Sequence, residues 1–394
     1  CMKILTFSTL FPNSEKPGHG IFVETRLRHL VASGQVESRV VAPIPWFPST
    51  NPRFGNYARF AKAPRHEVRH GLQVAHPRYP VIPKVGMSLA PALLAQAAKP
   101  AIARLIDEGY DFDLIDAHYF YPDGVAAAML GRYFNKPLVI TARGSDITLF
   151  PQYALPRRMI LWAAKRADAI ITVCNALRDE VVAMGIDADR VVSLRNGVDL
   201  ELFRPLERSP NDLFTLLAVG HLVPVKAQDL IIGALPLLPG VRLVLAGDGP
   251  DRAKLEAQAR DLKVSDRVTF LGAVPQAQLR SHYSAADALV LASSREGWAN
   301  VLLESMACGT PVVASRVYGT PEVVAAPEAG VLMRERSHQG VADAVNALRA
   351  NYPDRGATRR YAERFSWDDT TDGQIRLFDD VLLRRAGLPS LART

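Results

Sequence analysis

Ala288-Leu289-Val290-Leu291-Ala292 runs straight into Ser293-Ser294-Arg295-Glu296-Gly297-Trp298-Ala299-Asn300, then Val301-Leu302-Leu303-Glu304, and later Gly309-Thr310-Pro311. An unbroken apolar run bounded by a polar, Gly-containing turn reads as a strand buried on both faces, as in a parallel sheet. The turn leads into a helical stretch that Gly309 can end at its C′ position. Strand, turn and helix make one βα unit, and open α/β sheets bind ligands at the carboxyl ends of their strands. The helix start offers unpaired N–H groups and a positive dipole end, suited to a diphosphate. Glu304 follows Glu296 by eight residues, roughly two turns at ~3.6 residues per turn, so the two carboxylates are expected on one ligand-facing side.

The same unit recurs along the whole chain. Strand candidates lie at 3–8, 39–42, 114–117, 138–142, 169–173 and 191–194, and again at 215–219, 242–246, 268–271, 288–292, 311–314 and 330–333. Helical stretches such as 20–33, 157–166 and 252–262 fall between them. A βαβα order predicts parallel sheets with helices on both faces, and 394 residues suit two such domains. The pattern breaks at Glu207-Arg208-Ser209-Pro210-Asn211-Asp212. The expected domains are therefore 1–206 and 207–358, with helices in 359–394 packing back on the first. One segment departs from the rhythm: 43–86 carries eight prolines together with Trp46, Phe47, Phe54, Tyr57, Phe60, Arg53, Arg59, Lys62, Arg65 and Arg69. It reads as a long loop, either a solvated insertion or a surface that meets an acceptor or a membrane.

Composition narrows the class. A hydrophobic share of 48% with 22% charged residues is that of a soluble globular protein, not a disordered one. No window shows the roughly 18 unbroken apolar residues of a membrane span. Met2-Lys3-Ile4-Leu5-Thr6-Phe7, with Met2 read as the natural start, lacks the features of an export signal. Cys174 and Cys308 sit in apolar stretches without metal-ligand spacing and read as reduced core residues, so a cytoplasmic protein is expected. The net charge of +7 favours anionic partners such as nucleotides, polyphosphate acceptors or acidic lipid. Nucleic acid is not expected, because no helix-turn-helix, zinc finger or aromatic RNA-binding motif occurs. No metal-ligand set stands out; Asp111-Phe112-Asp113 reads as a solvated turn, and no Ser-His-Asp or Cys-His hydrolase arrangement is visible.

Glu296 and Glu304, followed by Ser305-Met306-Ala307-Cys308-Gly309-Thr310-Pro311-Val312-Val313, resemble the signature of retaining family-4 glycosyltransferases of the GT-B fold. Asn196-Gly197-Val198-Asp199, Gly247-Asp248-Gly249-Pro250, Tyr283-Ser284-Ala285-Ala286-Asp287 and Gly319-Thr320-Pro321-Glu322 are similar to further blocks of that family, in its order. The resemblance implies an α/β fold of two Rossmann-like domains, their parallel sheets facing across a central cleft. A nucleotide diphosphate sugar would be held mainly by the second domain. Glu304 would bind the ribose and Glu296 the transferred sugar, with Gly297, Trp298, Ala299, Asn300 and Val301 offering backbone donors near the phosphates. The base would lie near Gly249 and Val274. Negative charge grows on the diphosphate as the glycosidic bond breaks, and Lys226 matches the lysine that meets it. His221 stands where relatives often have arginine, so Arg295 or Arg143 is a further candidate cation. In the first domain, His118 matches a histidine near the donor sugar, and Gly18 and Gly20 lie at the first strand-to-helix turn.

The resemblance further implies transfer with retention, without metal or cofactor, while the positive charge and the Trp46-Phe47 loop favour a glycan or lipid-linked acceptor in cell-envelope or exopolysaccharide synthesis. The inner face of the cytoplasmic membrane is the expected place. Other readings are a nucleotide-sugar epimerase, a phosphorylase with a pyridoxal cofactor, or a two-lobed solute-binding protein.

Overall fold

The computed structural model describes residues 1–82 and 86–390, so Pro83, Lys84 and Val85 of the proline-rich segment lie outside the described residues. Strands form at every expected position, shifted by a few residues at their ends. The chain divides into two compact units, Cys1–Arg195 with Asp368–Thr394, and Asn196–Trp367.

The first unit is built on an eight-stranded sheet in the order Val191–Ser193, Ala169–Thr172, Leu138–Ala142, Leu114–His118, Met2–Phe7, Val36–Val41, Leu72–Ala75, His66–Arg69. Its pairs are parallel except the last, which is an antiparallel hairpin. This corrects the reading of 43–86 as a structureless loop and of the sheet as wholly parallel. Leu72 and Val74 alternate inward and are buried, which gives the hairpin an apolar face to dock. His70 and Gly71 both have positive φ (48° and 81°), the two-residue turn whose twist suits a hairpin. Asp113 is not merely solvated: its Oδ2 accepts from the Lys3 N–H at 2.7 Å and so fixes the start of the first strand.

The second unit carries a six-stranded, all-parallel sheet in the order Val268–Gly272, Val241–Ala246, Phe214–Val219, Ala288–Leu291, Val312–Ala314, Gly330–Leu332. Its boundary falls at Arg195/Asn196 rather than at 206. The reason is local bonding. Val198 N–H donates to Phe365 O at 2.9 Å. The Arg359 guanidinium donates to the carbonyls of Phe203 (2.6 Å), Ala307 (2.8 Å) and Leu200 (3.2 Å). The helix Arg355–Glu363 thus stays with the second unit, and only the stretch from Asp368 joins the first. There Phe378 and Val381 enter the core beside Leu27 and Leu30, and Thr370 Oγ1 donates to Arg195 O at 2.5 Å.

One helix, Gly86–Asp107, is long and apolar enough to cross a membrane by length and composition. Gln96, Lys99 and Arg104 interrupt it, which is why no unbroken apolar run marks it in the sequence. Leu94, Ala98 and Ile102 recur at helical spacing and are buried, the stripe of a helix docked on a core. Met87 and Leu89 are exposed.

Candidate active site

In the second unit the strand order reverses between Phe214–Val219 and Ala288–Leu291, the place where open α/β sheets leave a crevice. The loop after the first of these carries Lys226, and the loop after the second carries Glu296. The two loops are tied together by Ser294 N–H donating to Val225 O at 2.9 Å. Lys226 Nζ lies 2.5 Å from Glu296 Oε1, and Ser293 Oγ donates to the same oxygen at 2.7 Å. Oε1 is therefore engaged, and Oε2 is the oxygen left to accept from a ligand hydroxyl.

Two glycines beside this pair are required by the protein's own backbone. A Cβ on Gly247 would lie 1.8 Å from Gly220 O, and one on Gly249 would lie 2.5 Å from Leu222 O. The loops that follow the two neighbouring strands thus pack backbone on backbone. His221 lies in this turn with an exposed side chain, its own carbonyl accepting from Gln228 Nε2 at 2.9 Å. Val274 is half-buried on the loop before the helix Gln276–Ala285.

The helix after Glu296 begins at Asn300, not at the glycine. Glu296 thus stands on the loop before the helix and Glu304 within it, so the eight residues between them are not all helical. The Trp298 indole turns inward, 6% exposed, against Phe365 with ring centroids 6.2 Å apart. Only the backbone of Trp298 and of the buried Ala299 is left to meet a ligand. Glu304 lies in the helix, buried, accepting from Tyr283 OH at 2.8 Å and Gln276 Nε2 at 3.0 Å. Burial pushes its carboxyl above the ordinary range against those two donors, and it pushes the Tyr283 phenol well up too. Arg295 is half-buried beside Glu296 in sequence. The second unit thus gathers Lys226, Glu296 and Ser293 into one cluster and Glu304, Tyr283 and Gln276 into another.

In the first unit the strand order reverses between Met2–Phe7 and Leu114–His118. The paired register sets His118 opposite Thr141, which brings Arg143 within reach. Arg143 Nη2 lies 3.0 Å from His118 Nδ1, and His118 Nε2 lies 3.0 Å from Asp116 Oδ2. Guanidinium can only donate, so Nδ1 accepts and Nε2 carries the proton. Both ring nitrogens are thereby used inside the unit, and the ring is 1% exposed. Burial, against the pull of Asp116, lowers the imidazole below its ordinary value, with Arg143 and Arg26 acting in the same direction as burial. His118 is a neutral, fixed ring, and Arg143 is the cation at this strand end. We expect ¹⁵N NMR of His118 to show one Nε2–H tautomer and a protonation midpoint below that of an ordinary histidine; a midpoint at or above the ordinary value would contradict the arrangement.

Asp123 joins the loops at the same edge. It accepts from Thr9 N–H (2.7 Å), Thr9 Oγ1 (2.9 Å) and Ser8 Oγ (3.2 Å). Burial raises its carboxyl to about 7 against those donors. A Cβ on Gly20 (φ +67°) would lie 2.2 Å from Leu10 C, so this glycine serves the turn itself, whereas Gly18 is open. Among the described residues no group of three or more His, Cys, Asp or Glu side chains is placed to hold a metal ion.

Two family models match this chain: Glycosyltransferase Family 4 over residues 18–202, and Glycosyl transferases group 1 over residues 201–365. The chain is a family-4 glycosyltransferase. It is 28% identical to TuaC of Bacillus subtilis, a glycosyltransferase assigned to teichuronic acid biosynthesis, over 87% of this chain and 88% of that protein. It is 31% identical to the D-inositol 3-phosphate glycosyltransferase of Mycobacterium tuberculosis over 72% of this chain, which spans 65% of that protein. Among solved structures it is similar to sucrose-phosphate synthase of Thermosynechococcus elongatus, with a TM-score of 0.80 at 21% identity, covering 98% of this chain and all of the other. HepE of Anabaena in complex with UDP-glucose gives a TM-score of 0.69 at 21% identity, covering 98% of this chain and all of the other. These likenesses show the GT-B fold.

Several residues at these sites of the glycosyltransferase were not singled out from sequence as site residues. Ser293 and Tyr283 stand inside quoted blocks, so their motif position was the available signal. Gln276, Asp123 and Arg26 carry no motif and emerge only when the strands are paired.

Proposed function

We propose that this glycosyltransferase moves a sugar from a nucleoside diphosphate sugar to an acceptor with retention of configuration and without a metal. The observation that carries the reading is the Lys226–Glu296–Ser293 cluster at the switch point of the second sheet. An ammonium there can meet the charge that develops on a departing diphosphate, while Glu296 Oε2 accepts from a hydroxyl of the transferred sugar. Glu304 is assigned to the ribose, and the N–H groups of 297–301 to the phosphates. The bond from the anomeric carbon to the phosphate oxygen breaks and the acceptor oxygen bonds on the same face. The acceptor proton passes to the departing phosphate oxygen, which leaves as nucleoside diphosphate. The UDP-glucose complex of HepE supports a nucleotide-sugar donor.

The acceptor we assign is a lipid-linked or polysaccharide precursor, met by an enzyme peripheral to the inner face of the cytoplasmic membrane. The relative in teichuronic acid biosynthesis supports this class, as do the exposed Trp46, Tyr57, Met87 and Leu89 and the net charge of +7. The test is release of free nucleoside diphosphate across a donor panel. It should require an acceptor and persist in excess chelator. Turnover of the donor without acceptor would point to an epimerase, and loss in chelator would remove the metal-free mechanism.

A further inference from the structure

At the carboxyl edge of the first unit, the loops after Met2–Phe7 and Val36–Val41 enclose a pocket of about 200 Å³. It lies beside the switch point where His118, Arg143 and Asp123 gather. A single water needs only about 10–15 Å³ of such space, so the pocket has room for a ligand the size of a six-membered sugar ring. Phe11 and Phe60 are among its apolar walls, and Lys16, His19, Asn13 and Tyr79 supply its polar ones.

Three of those four polar side chains, Lys16, Asn13 and Tyr79, offer donors to a ligand. Lys16 Nζ sits 4.2 Å from the Phe60 ring centroid and has no carboxylate partner among the described residues. His19 Nε2 lies 3.0 Å from the carbonyl of Thr9, which can only accept, so Nε2 carries the ring proton and spends it there, leaving Nδ1 as an acceptor. The Asn13 side-chain oxygen accepts from the N–H groups of Glu15 and Lys16, each at 3.0 Å, which leaves its NH₂ as the outward end. Burial, with Asp123 acting the same way, pushes the Tyr79 phenol up to about 12, so it remains a neutral O–H donor. No Asp or Glu lines the pocket among the described residues.

A site with an ammonium, an amide NH₂ and a phenol O–H, and no carboxylate in its lining, selects a ligand rich in acceptors and negative charge. The aromatic walls select against a bare inorganic anion, because they need apolar C–H surface to cover them. We infer that this pocket binds a sugar ring of the acceptor that carries an anionic substituent, a carboxylate or a phosphate. The inference rests on the reading of the chain as a transferase to a glycan acceptor and names the chemistry of that acceptor.

The test uses the full chain labelled with ¹³C,¹⁵N-histidine, the His19 signals being assigned by His19→Gln. Glucuronate, glucose 6-phosphate, methyl glucoside and inorganic phosphate are titrated separately. The two charged sugars are expected to shift the His19 signals and to bind at least about tenfold more tightly than methyl glucoside or inorganic phosphate, the margin of one charge-assisted contact. Whichever of the two binds better tells carboxylate from phosphate. Lys16→Gln should abolish the margin and Lys16→Arg should keep it. Equal binding of methyl glucoside, equal binding of inorganic phosphate, or His19 signals unmoved by all four would overturn the inference. Stabilisation by nucleoside diphosphates, read on the same sample, reports on the second unit separately. Its loss would sink the donor assignment, whereas a silent His19 with nucleotide binding intact would sink only this pocket.

Discussion

Lys226→Ala is expected to lower glycosyl transfer about 10²–10³-fold while the protein stays folded. Removing one preformed donor from developing negative charge costs a rate of that order in enzymes that stabilise oxyanions. The lysine is well placed to be such a donor, since it is partly exposed (28%), on a short turn, 2.5 Å from Glu296. Its contribution to stability is modest, because partly exposed ion pairs are worth roughly 0–1 kcal/mol. The check is a comparison of turnover with the melting temperature of the same preparation. A collapse of activity at an unchanged melting temperature supports the assignment, and near-normal turnover would remove it. Lys226→Arg should retain only part of the rate, since a planar fork cannot sit where a compact ammonium sits.

Glu296→Ala should have a comparable effect by a different route. The carboxylate holds Lys226 and Ser293 on Oε1 and leaves Oε2 as an acceptor. Alanine removes the acceptor and releases the lysine, so we expect a loss of about 10²–10³-fold in turnover. Glu296→Gln separates these roles. Its carbonyl oxygen can still accept from Ser293 and Lys226, but the second position becomes an NH₂ donor. A milder loss of about tenfold, the equivalent of one hydrogen bond of roughly 1.4 kcal/mol, is expected there. If the glutamine variant were as inactive as the alanine one, the charge itself, not the positioning of Lys226, would be the function of Glu296.

The fold was largely legible because buried parallel strands have a simple signature. Runs such as Leu138–Ala142 and Ala288–Leu291 are apolar on both faces and bounded by turn residues. The hairpin of His66–Arg69 and Leu72–Ala75 was not legible for the opposite reason. It is an edge element with one solvent face, flanked by Pro64 and Pro77, and its buried apolar content shrinks to Leu72 and Val74.

The candidate site was legible as residues but not as geometry. The motif named Glu296 and Glu304, and counting ~3.6 residues per turn set both on one ligand-facing side, although only Glu304 lies in the helix. The loop runs on through the buried Trp298 and the helix begins at Asn300, and burial of one side chain is decided by the rest of the core. Similarly, His118 and Arg143 are far apart in sequence and meet because of the register between Leu114–His118 and Leu138–Ala142. A register is a property of two strands, and neither strand displays it alone. The steric demand on Gly247 and Gly249 is of the same kind, arising from the backbone of the neighbouring loop.

The most direct measurement is a ¹H NMR time course of the anomeric proton during acceptor-dependent consumption of a nucleotide sugar. A product anomer matching that of the donor, formed together with an equal amount of free nucleoside diphosphate and lost in Lys226→Ala, is the predicted result. An inverted anomer, or product formed without release of nucleoside diphosphate, would contradict the account.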